Sequence, residues 1–262
     1  MNILITGACG GMGKATTELL NKEGHTIYAI DKKLFDKIDG VNYYEVDITK
    51  QEEIDKAFDE ICEMTSNLDV IINFAGIYNL DSLVEISEED FIKIFNINLF
   101  GVYRINKTFL PLLKKNSKVI ITSSELAPLD PLPFTGLYGI TKAALEKYAY
   151  SLRMELNILD IKVAVIRPGA VKTDLLDVST TALDRFCNET KLYKCNATRF
   201  KKIVNNVEAK KIDAIKIAKI ARKIINSKHP KYVYNINRNF LLKLLNILPQ
   251  KWQVGIIKKI LK

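Results

Sequence analysis

Tyr138 and Lys142 stand four residues apart in Leu137-Tyr138-Gly139-Ile140-Thr141-Lys142. On a helix, positions i and i+4 share a face, so this spacing brings a phenol and an ammonium into one site. A free phenol, with a pKa of about 10, is a poor base at neutral pH. A neighbouring cation stabilises the phenolate, so the spacing predicts a phenol acidified enough to exchange a proton with an alcohol. Upstream, Ile3-Leu4-Ile5-Thr6-Gly7-Ala8-Cys9-Gly10-Gly11-Met12-Gly13 reads as an apolar strand running into a glycine turn. Backbone amides at a helix N-terminus bind phosphate, and residues without side chains let a pyrophosphate approach. Asp31 follows Gly13 by 18 residues, at the end of the next apolar run. A carboxylate there bonds the ribose hydroxyls of NAD and repels the extra phosphate of NADP. Lys32 and Lys33 follow at once and leave NADP open as the second choice. A proton-exchanging pair and a dinucleotide turn in one chain imply hydride chemistry.

Positioning these groups requires a particular architecture. Apolar runs alternate with helical stretches, the pattern of βαβ units and a parallel sheet. Strands are predicted at 2–6, 26–30, 43–46, 69–73, 118–122, 162–167 and 232–236. Helices are predicted at 11–22, 51–65, 87–114, 137–156 and 213–226, the third as one long unbroken rod. The segment 125–136 holds Pro128, Pro131 and Pro133 and reads as a loop. Residues 174–212 have weak periodicity and mixed polarity, which predicts a mobile substrate-loop insertion. The tail, 238–262, reads as two short amphipathic helices broken at Pro249.

With these residues in place, the chain resembles the short-chain dehydrogenase/reductase family over roughly residues 1–175. The family's Thr-Gly-x-x-x-Gly-x-Gly turn is matched by Thr6 to Gly13. Its adenine-side aspartate resembles Asp47 in Val46-Asp47-Ile48-Thr49, and its Asn-Asn-Ala-Gly motif resembles Asn73-Phe74-Ala75-Gly76, with Phe74 in place of the second asparagine. Its supporting asparagine resembles Asn98, and its Pro-Gly segment resembles Pro168-Gly169-Ala170-Val171-Lys172-Thr173. Its catalytic serine, the second of a pair, is matched by Ser124 after Ser123, one residue further from Tyr138 than is usual. The resemblance implies a single domain, 1–262, with a Rossmann-type α/β doubly wound parallel sheet of about seven strands and a C-terminal helical tail. It implies a catalytic set of Tyr138, Lys142, Ser124 and Asn98. It implies cofactor contacts from Gly7, Gly10, Gly11, Met12, Gly13, Asp31, Asp47, Ile48, Asn73, Ala75, Gly76, Tyr138, Lys142, Pro168, Gly169, Val171 and Thr173. NAD is preferred and NADP is the alternative. Relatives join as dimers or tetramers through the helices at about 87–114 and 137–156, so a homodimer or homotetramer is expected. Two other readings share some features. Gly7, Gly10 and Gly13 also fit the turn of sugar-nucleotide epimerases and dehydratases, but those chains run longer, and Asn73 to Gly76 and Pro168-Gly169 favour the shorter branch. A non-catalytic nucleotide sensor is disfavoured by the intact Tyr138, Lys142 and Ser124.

Charge is distributed unevenly. The net charge is +9, but from Ala214 to Lys262 there are 12 Lys/Arg and no Asp or Glu, which leaves −3 for residues 1–213. This bears on partners rather than on fold. Leu241, Leu244, Leu245 and Leu248 are expected to close the substrate pocket or an oligomer contact. The alternative is a peripheral anchor on anionic lipid, since lysine-rich amphipathic helices with a Trp bind such surfaces. Nucleic acid is not expected, because the basic stretch is rich in Ile and Leu and poor in stacking aromatics. An apolar wall is expected from Leu126, Leu129, Leu132, Phe134, Leu175, Leu176, Leu183, Phe186 and Tyr193, which points to a lipophilic alcohol or ketone. Cys9, Cys62, Cys187 and Cys195 lack metal-type spacing and read as free thiols in a reducing cytoplasm, with a Cys187–Cys195 disulfide open on sequence proximity alone. No secretory leader and no apolar run of about 18 residues is seen, so a cytoplasmic protein is expected.

Overall fold

Ile3, Leu4 and Ile5 are all fully buried, which a strand achieves only when both faces of its sheet are covered. The computed structural model describes residues 1–208 and 211–262, without the side chains of 174–181 and 207–208. Its strands are β1 (Asn2–Thr6), β2 (Thr26–Asp31), β3 (Asn42–Glu45), β4 (Leu68–Asn73), β5 (Leu113–Thr122), β6 (Lys162–Pro168), β7 (Val171–Lys172), β8 (Ile212–Asp213) and β9 (Val233–Ile236). Seven of them form one parallel sheet in the order β3-β2-β1-β4-β5-β6-β9, and β7 and β8 form a separate pair. The strand order reverses between β1 and β4, and in an open α/β sheet ligands bind at that reversal, beyond the carboxyl ends of the strands.

Alternation along each strand feeds two cores. Ile3, Ile5, Ile27, Val70, Ile72 and Ile120 face α1 (Gly11–Lys22) and α8 (Ala214–Asn226). Leu4, Ile30, Ile71, Val119 and Ile121 face the other side, where α2 (Gln51–Met64), α4 (Val102–Phe109) and α5 (Gly136–Ile158) pack. Each such side chain contributes about 1.5–3 kcal/mol on full burial, so the register that sends alternate residues of each strand to opposite faces is strongly fixed.

The expected rod at 87–114 is broken. Ser87 caps α3 (Glu88–Phe95) by accepting from the Asp90 N–H, with Glu88, Glu89 and Asp90 in the first turn. A π-helical turn, Asn96–Gly101, then interrupts the ladder before α4, and Pro111 ends the helical stretch so that β5 begins at Leu113, earlier than expected. The segment expected to be irregular holds two helices, α6 (Asp174–Glu189) and α7 (Lys194–Glu208). The tail forms α9 (Phe240–Ile247) and α10 (Gln250–Leu261), broken at Pro249 as the sequence predicts. All four cysteines are free.

Candidate active site

The glycine turn is built by close backbone approach. Gly7 ends β1 at φ 67°, and a Cβ there would stand 2.7 Å from the Ala75 nitrogen. A Cβ on Gly13 would stand 1.9 Å from the Gly7 carbonyl oxygen, and one on Gly11 would meet Thr173 at 2.6 Å. At Gly10, the cap residue of α1, the nearest atom is 3.5 Å away, so this edge of the turn is open. The open side faces a groove of about 320 Å³ lined by Gly7, Gly10, Gly11, Met12, Gly13, Asp31, Asp47, Ile48, Ala75, Gly76 and Thr173, together with Phe35 and Ile97. Asp31 is held at the groove by two backbone donors, Cys9 N–H at 2.8 Å and Lys32 N–H at 2.7 Å. The Lys32 ammonium is taken up by Asp47 at 2.6 Å. Burial alone would raise the Asp47 pKa, but Lys32 and the Thr49 N–H and hydroxyl outweigh it and hold the carboxyl down to about 2. A dinucleotide fits this groove: a bare backbone turn at the start of a helix, with a carboxylate at the far end.

The second cavity, about 190 Å³, lies over the ends of β5 and β6 and contains Tyr138, Lys142, Ser124, Pro168, Gly169 and Val171. The i, i+4 spacing places Tyr138 and Lys142 as expected: the ammonium lies 5.7 Å from the centre of the Tyr138 ring and donates to the Thr122 carbonyl at 3.0 Å. Ser124 stands close enough to the phenol to pull its pKa down, whereas the Ser123 hydroxyl is buried without a partner among the described residues. Asn98 sits in the π turn, accepts from Ile77 N–H at 2.8 Å, and donates to Ile77 O at 2.9 Å and to Thr141 at 3.2 Å. Its carbonyl would be 3.2 Å from a Cβ on Gly76, and the Lys142 ammonium 3.5 Å, so a bare residue 76 admits both groups. The extra residue in the helical turn is what aims the Asn98 amide across at the loop after β4.

The electrostatics differ from the sequence expectation. Desolvation pushes the Tyr138 phenol up to about 12, against the Ser124 hydrogen bond, and pulls Lys142 down to about 8. Tyr138 and Lys142 are only 8% and 5% exposed, and excluding water from both charged forms outweighs the attraction between them. Burial thus favours the neutral phenol at physiological pH.

Other expectations shift as well. Asn73, expected to touch the cofactor, is buried at the end of β4, where its amide donates to Asn106 at 3.0 Å, and it is not among the groove-lining residues. Thr173 makes no side-chain cap to α6 and borders both cavities. Of the expected apolar wall, Leu126 and Leu132 line the catalytic cavity, while Phe134, Leu183 and Phe186 pack with Ala197 and Phe200 in a cluster of their own. Leu175 and Leu176 lie outside the described side chains. From the tail, Leu242 reaches the cavity, whereas Leu241 and Leu244 are exposed. Tyr78, whose ring meets that of Tyr138 edge-on at 4.5 Å, and Glu125 also line the cavity and were missed. The available signal was their adjacency in sequence to Gly76 and Ser124.

Among known proteins, the short chain dehydrogenase family model matches residues 1–184. A 3-ketodihydrosphingosine reductase from Bacteroides thetaiotaomicron is 34% identical over 176 residues, which cover 67% of this chain and 65% of that protein. Estradiol 17-beta-dehydrogenase 2 from Mus musculus is 31% identical over 185 residues, which cover 66% of this chain and 49% of that protein. The match therefore spans less than two thirds of either relative's length. A crystal structure of a short-chain dehydrogenase from Streptomyces avermitilis superposes with a TM-score of 0.76 at 22% identity, covering 99% of this chain and 93% of that one.

Proposed function

The chain belongs to the short-chain dehydrogenase family, and from that premise we propose that it is an NAD(H)-dependent oxidoreductase that reduces a lipophilic ketone to a secondary alcohol. One observation carries this reading: the buried Tyr138 phenol, with Lys142 5.7 Å from its ring and Ser124 in the same lining, sits in an apolar cavity that adjoins the glycine-lined groove and shares Met12, Gly76 and Thr173 with it. The dinucleotide, when bound, supplies the hydride. Ser124 donates a hydrogen bond to the substrate oxygen, where negative charge develops. Tyr138 delivers its proton to that same oxygen. Lys142 holds positive charge beside the phenol, and Asn98 braces Ile77 so that Gly76 stays clear of both. Residues 1–262 act as one nucleotide-binding domain, with 174–212 and 238–262 shaping its substrate side. The names of the two relatives, a reductase and a dehydrogenase, support the reaction class. Following NADH absorbance with a panel of lipophilic ketones tests the reading; cofactor binding without turnover on the whole panel would overturn it.

NAD preference rests on Asp31. Its carboxylate stands at the groove, and of the two cations that would offset its repulsion of a 2′-phosphate, Lys32 is already paired with Asp47, which leaves Lys33. Asp31→Asn keeps an acceptor for the Cys9 N–H and removes the charge. The NADPH-to-NADH ratio of kcat/KM is expected to rise about tenfold or more, the scale of a hydrogen bond to a charged group. An unchanged ratio would remove Asp31 from the specificity assignment.

The tail supports a peripheral lipid contact. Among the described residues, no helix is long and apolar enough to cross a membrane. Yet Phe240, Leu241, Leu244 and Ile247 stand exposed on α9, as do Trp252, Ile256 and Ile260 on α10. Lysines surround them, without a single acidic residue beyond Asp213. An anionic bilayer complements this surface, whereas a second copy would bring like charges together. Replacing Phe240, Leu241 and Trp252 by Gln should lower partitioning onto anionic vesicles at least tenfold, because each apolar group and each lysine contributes about 1 kcal/mol or more at such a surface. Equal sedimentation of variant and wild type with the vesicles would dispose of the anchor. Substitution is preferable to deletion, since Leu242 lines the catalytic cavity.

A further inference from the structure

A groove of about 790 Å³ runs between α10 and the segment 130–136, and the chemistry above does not use it. We propose that it is a binding site for a single-chain anionic amphiphile of the fatty-acid type, separate from the substrate's own site and independent of the reductase reading. Its volume is that of a small-ligand pocket. One wall is the stretch from Pro131 to Phe134, and the other is Val254, Ile257 and Leu261 of the tail, with Leu83 at the rim. Leu83 is 50% and Val254 68% exposed, so apolar surface stands open to water along the groove. Tyr138, Lys142 and Ser124 are not in its lining, and among the described residues Leu132 alone is shared with the catalytic cavity. Phe134, on the groove, packs at 5.3 Å against Phe200, on the catalytic cavity, so packed rings stand between the two spaces.

Charge selects the head of the ligand. Lys258 and Lys262, four residues apart at the C-terminal end of α10, both line the groove. Neither is in an ion pair among the described residues. The groove's carboxylate, Asp130, is engaged, since it accepts from the Gln253 amide at 2.8 Å. The carbonyl end of a helix repels anions, but here the Leu261 carbonyl is covered by Asn196 at 2.7 Å and Arg199 at 3.3 Å. The side chains left without an opposite charge are therefore ammonium groups, which match a carboxylate head and repel a cationic one. The apolar walls match its chain. A flat bilayer cannot enter a concave groove, whereas one chain can. A second copy would bring the lysines of both chains together.

The test is calorimetric titration of the full-length protein with dodecanoate, decanoate and dodecanol, each below its micelle concentration. One dodecanoate per chain is expected to bind saturably. Decanoate, two methylenes shorter, should bind about tenfold more weakly, and dodecanol, which lacks the charge, about tenfold more weakly or worse. Lys258 and Val254 are exposed, so their substitution leaves the fold intact. Lys258→Glu is expected to weaken dodecanoate by about tenfold or more and leave dodecanol as it was. Val254→Asp, which sets a charge in the apolar wall, should weaken both. No saturable binding overturns the proposal, as does equal affinity for dodecanoate and dodecanol. Binding that neither substitution alters places the chain elsewhere, and this too overturns it. Should Val254→Asp abolish vesicle binding or a dimer seen by sedimentation, with dodecanoate unaffected, the groove belongs to a bilayer or to a second copy, and the proposal falls.

Discussion

Replacing Tyr138 with phenylalanine is expected to lower turnover by about 10²–10⁴-fold, the range that a positioned proton donor supplies, while NADH binds as before. The substitution removes one hydroxyl and leaves the ring, which packs edge-on against Tyr78 at 4.5 Å. The fold should therefore be unaffected, and only proton delivery is lost. The pH dependence follows from the burial of the pair. Tyr138, pushed up to about 12, stays protonated throughout the neutral and mildly alkaline range, so as a donor for ketone reduction it does not titrate there. Lys142, pulled down to about 8, is charged below that pH and neutral above it. Reduction should therefore hold steady below about pH 8 and decline above it. Alcohol oxidation needs the phenolate, so its rate should climb as pH rises toward 12. Steady-state profiles in both directions, with wild type and Tyr138→Phe, check this. Substantial activity in the Phe variant, or oxidation indifferent to pH, would remove Tyr138 from its role.

Gly13→Ala is expected to damage both stability and cofactor binding. The new methyl would stand 1.9 Å from the Gly7 oxygen, 2.7 Å from the Gly7 carbonyl carbon and 2.8 Å from the Ala8 Cα. All three are backbone atoms of the same turn, so the strain cannot be relieved by rotating a side chain. Overpacking of this kind costs about 1–3 kcal/mol or more, which lowers Tm by about 2–12 °C in a chain of this size. The opened turn should also weaken NADH binding by at least about tenfold, since its amides no longer converge on the pyrophosphate. Gly10→Ala is the contrasting control. With its nearest neighbour at 3.5 Å, it should keep the wild-type Tm and affect cofactor binding alone. Thermal melts and NADH fluorescence titrations separate the two effects. A wild-type Tm for Gly13→Ala would contradict the close approach on which the turn depends.

Much of this protein is legible along the chain because the informative relations are short. The unbroken apolar runs at 3–5 and 70–72 specify buried parallel strands, and Tyr138 and Lys142 share a helical face by spacing alone. The two tail helices and their break at Pro249 likewise follow from local periodicity and a missing N–H.

What the tertiary structure decided has long-range causes. The choice of Ser124 over Ser123 depends on which hydroxyl the strand end turns toward a helix that begins 12 residues later. The π turn that aims Asn98 answers to Ile77 and Thr141, partners that helical periodicity does not encode. Asn73 pairs with Asn106, and Leu242, rather than Leu241 or Leu244, reached the cavity, because chain segments far apart in sequence meet there. The reversal at Tyr138 has the same origin. A neighbouring cation lowers a phenol's pKa and desolvation raises it, and which effect wins is a property of every segment packed around the pair. Spacing along the chain thus named the reacting groups, while burial, which is collective, set their protonation.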